Sequence, residues 1–227
     1  MEENHNNQFI LIVASLASFI TAFMGSSINI ALPAIGNEFN IDAVLLSWVS
    51  TSYLLAAAIS LVPTGRLADL YGRKKIFAYG IVIFTIATLI SAISNSISLL
   101  MVSRVLTGIG VGMVFGTSVA IVTSAFPLSE RGKAIGFTVS AVYLGLSMGP
   151  FIGGILTQNF GWRSIFVASV LMGVVTTFVT SFIKGEWAEA RNERMDYVGT
   201  VIYALSLSMA IYGFSLLPSI QGAGFIL

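Results

Sequence analysis

Few residues in this sequence have side chains suited to chemistry. There is no cysteine, which excludes disulfides, thiolate metal sites and cysteine nucleophiles. The single histidine, His5, lies in a polar stretch, where we expect it to be solvated rather than bound to a metal. The long apolar segments contain essentially one ionisable residue, Arg104, and such a residue is costly there and usually functional. The sequence therefore argues against an enzyme and predicts neither a cofactor nor a bound metal.

The elements that position Arg104 are predicted to be membrane helices. Hydrophobic residues make up 56% of the chain and charged residues only 9%, against about 25% charged in soluble domains. A spanning helix needs ~20 mainly apolar residues, and runs of that length do not fit the ~10-residue alternation of a membrane barrel. This predicts an all-α, polytopic membrane protein with about seven transmembrane helices. The predicted spans are Phe9–Leu32, Ala43–Val62, Ile76–Ser94, Ser98–Val122, Gly136–Leu156, Ser164–Ile183 and Tyr197–Leu217.

The basic residues predict how the chain crosses the membrane. Nine Lys and Arg residues lie in the second, fourth and sixth loops, and one, Arg163, lies in the odd-numbered loops. The positive-inside rule therefore predicts that the even-numbered loops and the N-terminus are cytoplasmic, in a multi-pass protein of the plasma membrane. The net charge of +1 gives no sign of nucleic-acid binding. The predicted polar connections are Asn37–Asp42, Gly65–Lys75, Asn95–Ser96, Pro127–Lys133, Gln158–Arg163 and Lys184–Asp196.

The second of these loops carries the most informative motif. It reads Gly-Arg-Leu-Ala-Asp-Leu-Tyr-Gly-Arg-Lys-Lys from Gly65 to Lys75. Asp69 can accept bonds from backbone donors or pair with Arg73, and Gly72 permits a tight reversal that a Cβ would hinder. The loop resembles the signature of the major facilitator superfamily. The resemblance implies that Gly65, Asp69, Gly72 and Arg73 form a gate whose Asp and Arg latch one state of an alternating-access cycle against the other half of a transporter. The plainer alternative is that the basic residues only anchor the topology.

A second motif lies in the fifth predicted span. Proline removes a backbone donor and can kink a helix, while small residues let helices approach closely. The pattern resembles the antiporter motif of the superfamily's drug exporters, which implies a bent, closely packed helix that seals the substrate path on one side. A generic membrane helix rich in glycine is the alternative. The motif residues are Gly136, Gly145, Gly149, Pro150, Gly153 and Gly154.

Shorter stretches extend the resemblance over nearly the whole chain. Asn29–Pro33, Gly161–Arg163 and Asp196–Gly199 resemble segments of the fourteen-span drug/proton antiporter branch. The implied division is an N-terminal six-helix bundle (1–183), a cytoplasmic loop (184–196), an extra seventh helix (197–217), and an outer-side tail or the start of a truncated span (218–227). The implied function is secondary active export of drugs or amphipathic small molecules in exchange for protons.

The family places its substrate site between two halves, and the resemblance covers one of them. We therefore expect a missing C-terminal half or a second copy as partner, besides the lipid bilayer and a small-molecule substrate. The alternative is a truncated or split half-transporter without independent transport activity. A seven-helix receptor is disfavoured, because the basic loops place its N-terminus on the wrong side.

One departure from the family pattern concerns coupling. Arg104 and Gly108 match the Arg-x-x-Gln-Gly motif of the fourth span, with Thr107 in place of the glutamine. The first-span acid of the fourteen-span branch is replaced by Met24, at a depth close to that of Arg104. Because Arg does not titrate in the working range, it cannot itself carry the proton.

Three explanations for an unpaired Arg104 remain open. Proton coupling uses carboxylates outside this chain, or Arg104 receives an anionic group of the substrate, or Ser26, Ser27, Asn29 or backbone carbonyls satisfy it.

Adaptable aromatic and methionine side chains are typical of multispecific cavities, although the same residues are common in helix packing. The candidate cavity residues are Met24, Asn29, Tyr53 and Tyr143.

Overall fold

The computed structural model describes residues 2–188, 190, 193 and 195–215, apart from the side chains of residues 2–5, 214 and 215. Within this part, the chain forms α-helices and no strand, which confirms the predicted all-α fold. The predicted tail at 218–227 lies outside the described residues. The helices are α1 (Glu2–Phe39), α2 (Ala43–Tyr71), α3 (Arg73–Ala92), α4 (Ile97–Ala125), α5 (Leu128–Phe160), α6 (Arg163–Thr180) and α7 (Tyr197–Ser215).

Helices α1 to α6 are long and apolar enough to cross a membrane. Helix α1 has 38 residues and α5 has 33, well above the ~20 that a bilayer requires, so their ends project beyond the hydrocarbon layer. Helix α7 is also apolar, but its apolar stretch within the described residues, Tyr197–Gly213, is shorter. Six helices of spanning length, and a seventh apolar helix whose described part has 19 residues, thus stand where about seven spans were predicted.

The connection between α2 and α3 differs from the predicted polar loop at Gly65–Lys75. Helix α2 continues to Tyr71 and α3 begins at Arg73, so Gly72 alone lies between them. Helical structure extends past the apolar run because charged side chains can project from a helix into water at the membrane surface. For the same reason α5 begins at Leu128, inside the predicted Pro127–Lys133 turn.

The six long helices pack through a few dominant pairs. Helix α1 packs most extensively on α5, and α4 lies between α2 and α3. Helix α6 contacts α3 and α1, which closes one side of the bundle. Helix α7 packs on α2, where the Tyr203 hydroxyl donates to the Ala58 carbonyl at 2.9 Å and the rings of Trp48 and Tyr212 lie 6.2 Å apart.

Long-range hydrogen bonds identify the two ends of the bundle. At one end, the Asn6 side chain exchanges hydrogen bonds with the backbone of Lys184, and the Lys74 ammonium donates to the Ile183 carbonyl. At the other end, Arg163 donates to Glu38 at 2.6 and 2.9 Å and to the Ser94 carbonyl at 2.8 Å. The basic even-numbered loops and the start of α1 therefore share one end, as an alternating up-and-down chain requires.

Asp196 explains where α7 begins. Its carboxylate accepts the backbone N–H of Gly199 at 2.8 Å, which satisfies one donor of the first helical turn. A Cβ on Gly199 would lie 2.3 Å from that carboxylate, so a larger residue here would displace the Asp196 side chain. The Asp-Tyr-Val-Gly sequence is thus a compact helix start.

Candidate functional site

The α2–α3 corner holds the charged residues of the signature motif. The Arg73 guanidinium pairs with the Asp69 carboxylate at 2.8 Å, four residues earlier, and it is largely buried. It also donates to the Ser124 hydroxyl at 2.5 Å and the Ala120 carbonyl at 3.4 Å, both near the end of α4. Arg73 therefore joins the corner to α4 as well as to Asp69.

The two glycines of this motif occupy different environments. Gly72 has φ of +119°, a conformation that residues with a Cβ rarely adopt, and it forms the whole reversal between α2 and α3. Gly65 lies inside α2, where a Cβ would be in ordinary contact with the Gly116 carbonyl at 3.5 Å. Backbone geometry therefore requires glycine at position 72, whereas position 65 has room for a small side chain.

Arg104 is fully buried inside the bundle. Its Nε donates to the Val49 carbonyl at 3.2 Å, and its Cζ lies 4.2 Å from the centroid of the Tyr53 ring. Neither terminal guanidinium nitrogen has a hydrogen-bond partner among the described residues. A buried charged donor without an acceptor is costly, so these two nitrogens stand out among the buried polar atoms of the bundle.

The surroundings of Arg104 connect α1, α2 and α4. The Tyr53 hydroxyl donates to the Thr21 carbonyl of α1 at 3.0 Å, and a Cβ on Gly25 would lie 3.5 Å from the same ring. Met24, the residue next to Gly25, is fully buried in the same apolar cluster as Tyr53. Its sulfur faces the Ser169 hydroxyl at 3.7 Å. A thioether thus lies in the core at the position where the sequence resemblance implies an acid in the fourteen-span branch.

The neighbours of Arg104 on α4 hold the helices close together. A Cβ on Gly108 would lie 2.3 Å from the Tyr53 carbonyl oxygen, so glycine is required where α4 crosses α2. Thr107, in place of the motif's glutamine, is buried and donates to the Ser103 carbonyl of its own helix at 2.7 Å. The Thr107 hydroxyl oxygen does not accept a hydrogen bond from either terminal nitrogen of Arg104.

A second site is the contact between α1 and α5. A Cβ on Gly145 would lie 2.5 Å from the Phe19 carbonyl oxygen, and one on Gly153 would lie 2.9 Å from Ser27 Cβ. Between them, a Cβ on Gly149 would lie 1.9 Å from the Ser26 hydroxyl oxygen. The Ser27 hydroxyl donates to the Gly149 carbonyl at 2.9 Å. Close approach and hydrogen bonding thus lock these two helices together.

The other residues of the fifth-helix motif lie outside this contact. A Cβ on Gly136 would meet nothing within 4 Å, and one on Gly154 would meet only the Ile30 side chain at 3.8 Å. Helical geometry explains the division, because Gly136 precedes Gly145 by about two and a half turns and so lies on the opposite face. Helix α5 continues through Pro150 without interruption.

The remaining candidate residues lie apart from the buried site. Asn29 is exposed and accepts the Ser50 hydroxyl at 2.9 Å, while Tyr143 is 66% exposed on α5. Met24 and Tyr53, by contrast, belong to the packed core. Ser26 and Ser27 bond to α5 carbonyls, so of the predicted partners for Arg104 only a backbone carbonyl is observed.

Two acidic residues have roles that the sequence analysis missed. Glu38 accepts the Trp162 indole N–H at 2.7 Å in addition to Arg163, and it closes the end of the bundle opposite the basic loops. Glu186 accepts two backbone N–H groups at the start of α3. The available signal for Glu186 was an acid near the beginning of a loop of mixed charge, together with a glycine, Gly72, directly before α3.

Comparison with known proteins agrees with this geometry. Residues 14–225 match the family profile of the Major Facilitator Superfamily. The riboflavin transporter RibZ of Clostridioides difficile is 34% identical over 196 residues, which cover 86% of this chain and 43% of that protein. The multidrug resistance protein Stp of Mycobacterium tuberculosis is 32% identical over 210 residues, covering 92% of this chain and 39% of that one. The chain spans about two fifths of the length of these relatives.

Solved structures show the same fold. A bacterial homologue of the human lysosomal transporter Spinster, in an inward-facing conformation, aligns with a TM-score of 0.71 at 18% identity, over 97% of this chain and 58% of that one. The peptide transporter POT aligns with a TM-score of 0.73 at 17% identity, over 89% and 46%. The helical bundle, the signature corner and the profile match lead to one conclusion: this multi-pass membrane chain belongs to the Major Facilitator Superfamily of transporters.

Proposed function

We propose that the chain is the N-terminal half of a secondary active exporter that moves drugs or amphipathic small molecules outward in exchange for protons. The substrate class comes from the relatives, which are named as multidrug resistance, cephamycin export and riboflavin transport proteins. We place the N-terminus and the α2–α3 corner on the cytoplasmic face of the plasma membrane, because the basic loops gather at that end.

The observation that carries the proposal is the interlocked pair of α1 and α5. The three glycines at the contact leave no space between the helices, so the pair moves as one rigid element. The opposite face of α5 is apolar and exposed in this chain, with Tyr143 at 66% and Phe151 at 72%. A rigid element with an open apolar face suits a partner half or a second copy that closes the substrate path.

The Asp69–Arg73 pair is proposed as the cytoplasmic latch. It joins two helices that meet at a single glycine and a third helix through Ser124. Such a corner has little freedom to bend, so it presents its charges to the partner half in one orientation. In this proposal Gly65, Asp69, Gly72 and Arg73 set the conformational state, while Asn29, Tyr143 and the Arg104 region contact or tune the substrate path.

Coupling is proposed to depend on carboxylates outside the described helical core. The acidic side chains that the structure describes lie at helix ends or in connections, and none forms an ion pair with Arg104. A carboxylate of the other half, or an anionic group of the substrate, would satisfy the two terminal nitrogens of Arg104 once the helices around this buried residue separate. The alternative to the exporter function as a whole is a half-transporter that has no independent transport activity.

The test is proton-driven uptake into inverted membrane vesicles. Vesicles are prepared from an efflux-deficient bacterium that carries the native locus, including the DNA downstream of the Leu227 codon. We expect a pH gradient to drive uptake of ethidium or riboflavin, and a protonophore or Asp69→Asn to abolish it. Uptake no greater than in vesicles without the gene would contradict the exporter function. Uptake that ignores the gradient would contradict proton exchange alone. A stop codon placed after Leu227 tests whether this half acts by itself.

Met24→Asp tests whether the core has lost a coupling site. The new carboxylate would enter the buried cluster that contains Tyr53, whose ring lies 4.2 Å from Arg104 Cζ, and the two unpartnered nitrogens of Arg104 would stabilise an anion there. We expect stronger gradient-dependent uptake in the same vesicles. The matched control is Met24→Asn, because asparagine has nearly the same shape as aspartate but no charge. If the two variants insert equally well and transport equally, the idea of a lost coupling site is wrong.

A further inference from the structure

The segment that follows α6 lies across the α2–α3 corner. It is defined here as the strap, residues 184–188, 190 and 193 of the described chain. The backbone N–H of Arg73 donates to the Trp187 carbonyl at 2.8 Å, and that of Ala190 donates to the Asp69 carbonyl at 3.0 Å. Both latch residues are thus held by the strap through their backbones.

Glu186 makes the central contact of the strap. Its two carboxylate oxygens accept the backbone N–H groups of Lys74 and Lys75 at 2.9 and 3.1 Å. These donors belong to the first turn of α3, where backbone N–H groups lack partners within the helix. The residue before the helix is Gly72, which has no side chain to cap them. A carboxylate from more than a hundred residues away therefore does the work of an N-cap, and its charge also suits the positive end of the helix dipole.

The same contact gives Gly72 a second reason to be glycine. A Cβ at this position would lie 2.4 Å from the Glu186 carboxyl carbon, well inside van der Waals contact. The Glu186 carboxylate therefore occupies the space that a side chain at position 72 would need. An ion pair between Arg66 and Glu193 at 2.5 Å fastens the far part of the strap to α2.

We propose that Glu186 is a positioning residue of the latch: by capping α3 it seats the strap and fixes Asp69 and Arg73 in the orientation that the transport cycle uses. The effect on transport rests on the proposed function, whereas the docking of the strap does not. Because the strap leads directly from α6 to α7, it also connects the position of the seventh helix to the corner.

Cysteine labelling tests the docking without reference to transport. Residues 1–227 contain no cysteine, so Ala190→Cys provides the single thiol of this part of the protein, at a strap position that is 8% exposed. We expect Glu186→Ala to raise the rate of maleimide labelling about fivefold or more, the scale expected for loss of a helix cap. Glu186→Gln keeps an acceptor oxygen and should give a smaller rise. An unchanged rate in Glu186→Ala overturns the proposal.

A double-mutant comparison separates a specific contact from general loosening. Gly72→Ala collides with Glu186 in the wild type but only meets backbone strain once Glu186 is alanine. We therefore expect Gly72→Ala to change the Ala190→Cys labelling rate in both backgrounds, because of its positive φ, and by a larger factor when Glu186 is present. Equal changes in the two backgrounds would contradict a direct contact. The control on the same segment is Glu193→Gln, which removes only the Arg66 pair and should have a smaller effect.

Vesicle transport then tests the positioning role. We expect Glu186→Ala to lower the maximal uptake rate while the apparent KM stays unchanged, since Glu186 lies at the latch and not in the substrate path. A raised KM with an unchanged maximal rate would overturn the positioning role. If wild-type vesicles show no uptake, the proposed function fails, and the labelling results still decide whether the strap is docked by Glu186.

Discussion

Gly149→Val is expected to abolish transport and to disrupt the packing of α1 on α5. The first side-chain atom would already lie 1.9 Å from the Ser26 hydroxyl and 3.0 Å from the Phe23 carbonyl oxygen. Rotation of Ser26 can relieve the first collision, but the carbonyl belongs to the backbone of α1 and cannot move without its helix. Overpacking of a tight core costs about 1–3 kcal/mol and sometimes more, and valine adds two methyl groups to the colliding carbon. Thermal stability in detergent and vesicle uptake measure the two effects.

The alanine pair on the same helix is the matched control. Gly149→Ala is expected to lower the melting temperature clearly, whereas Gly154→Ala meets only Ile30 at 3.8 Å and should leave it unchanged. Ser26→Gly removes both the hydroxyl oxygen and the Cβ at 3.1 Å, so it should partly rescue Gly149→Ala. Equal stability of the two alanine variants would show that the contact between α1 and α5 is looser than described.

Arg104→Met is expected to abolish transport without lowering stability. Methionine fills most of the same volume and removes two buried nitrogens that have no partner. Replacing buried charged groups by packed apolar ones is often neutral or stabilising by about 1–4 kcal/mol. The lost contact with the Tyr53 ring, about 2 kcal/mol when desolvated, offsets part of this gain. Unfolding in detergent should therefore show equal or higher stability, while vesicle uptake falls to background.

Arg104→Lys distinguishes charge from geometry in this prediction. Lysine keeps a positive charge but lacks the planar group that both stacks on Tyr53 and donates to the Val49 carbonyl. We expect it to be less stable than the wild type and to retain little transport. If Arg104→Met proves strongly destabilised yet still transports, Arg104 is a structural residue and not part of the coupling machinery.

The sequence alone determined the fold class and the order of the helices. Long apolar runs admit only helices in a membrane, and the uneven distribution of basic residues groups the loops into two sets. The sequence also offered the Asp69–Arg73 pair as one of two options for Asp69, and the pair forms across the Gly72 turn between α2 and α3. The helix ends were harder to place, since helices continue past their apolar runs where water accepts charged side chains. Gly65–Lys75 was therefore predicted as a loop although nearly all of it is helical.

Only the tertiary structure decided which helices touch and what each buried group meets. Helical periodicity places Gly145, Gly149 and Gly153 on one face, but it does not say that the face belongs to α1. Arg104 could be recognised as buried, yet its partners, a carbonyl and a ring of α2, are set by the crossing of α4 and α2. Glu186 and Glu38 bond to groups more than a hundred residues away. Local sequence cannot specify such contacts, because they depend on how the whole bundle brings its loop ends together.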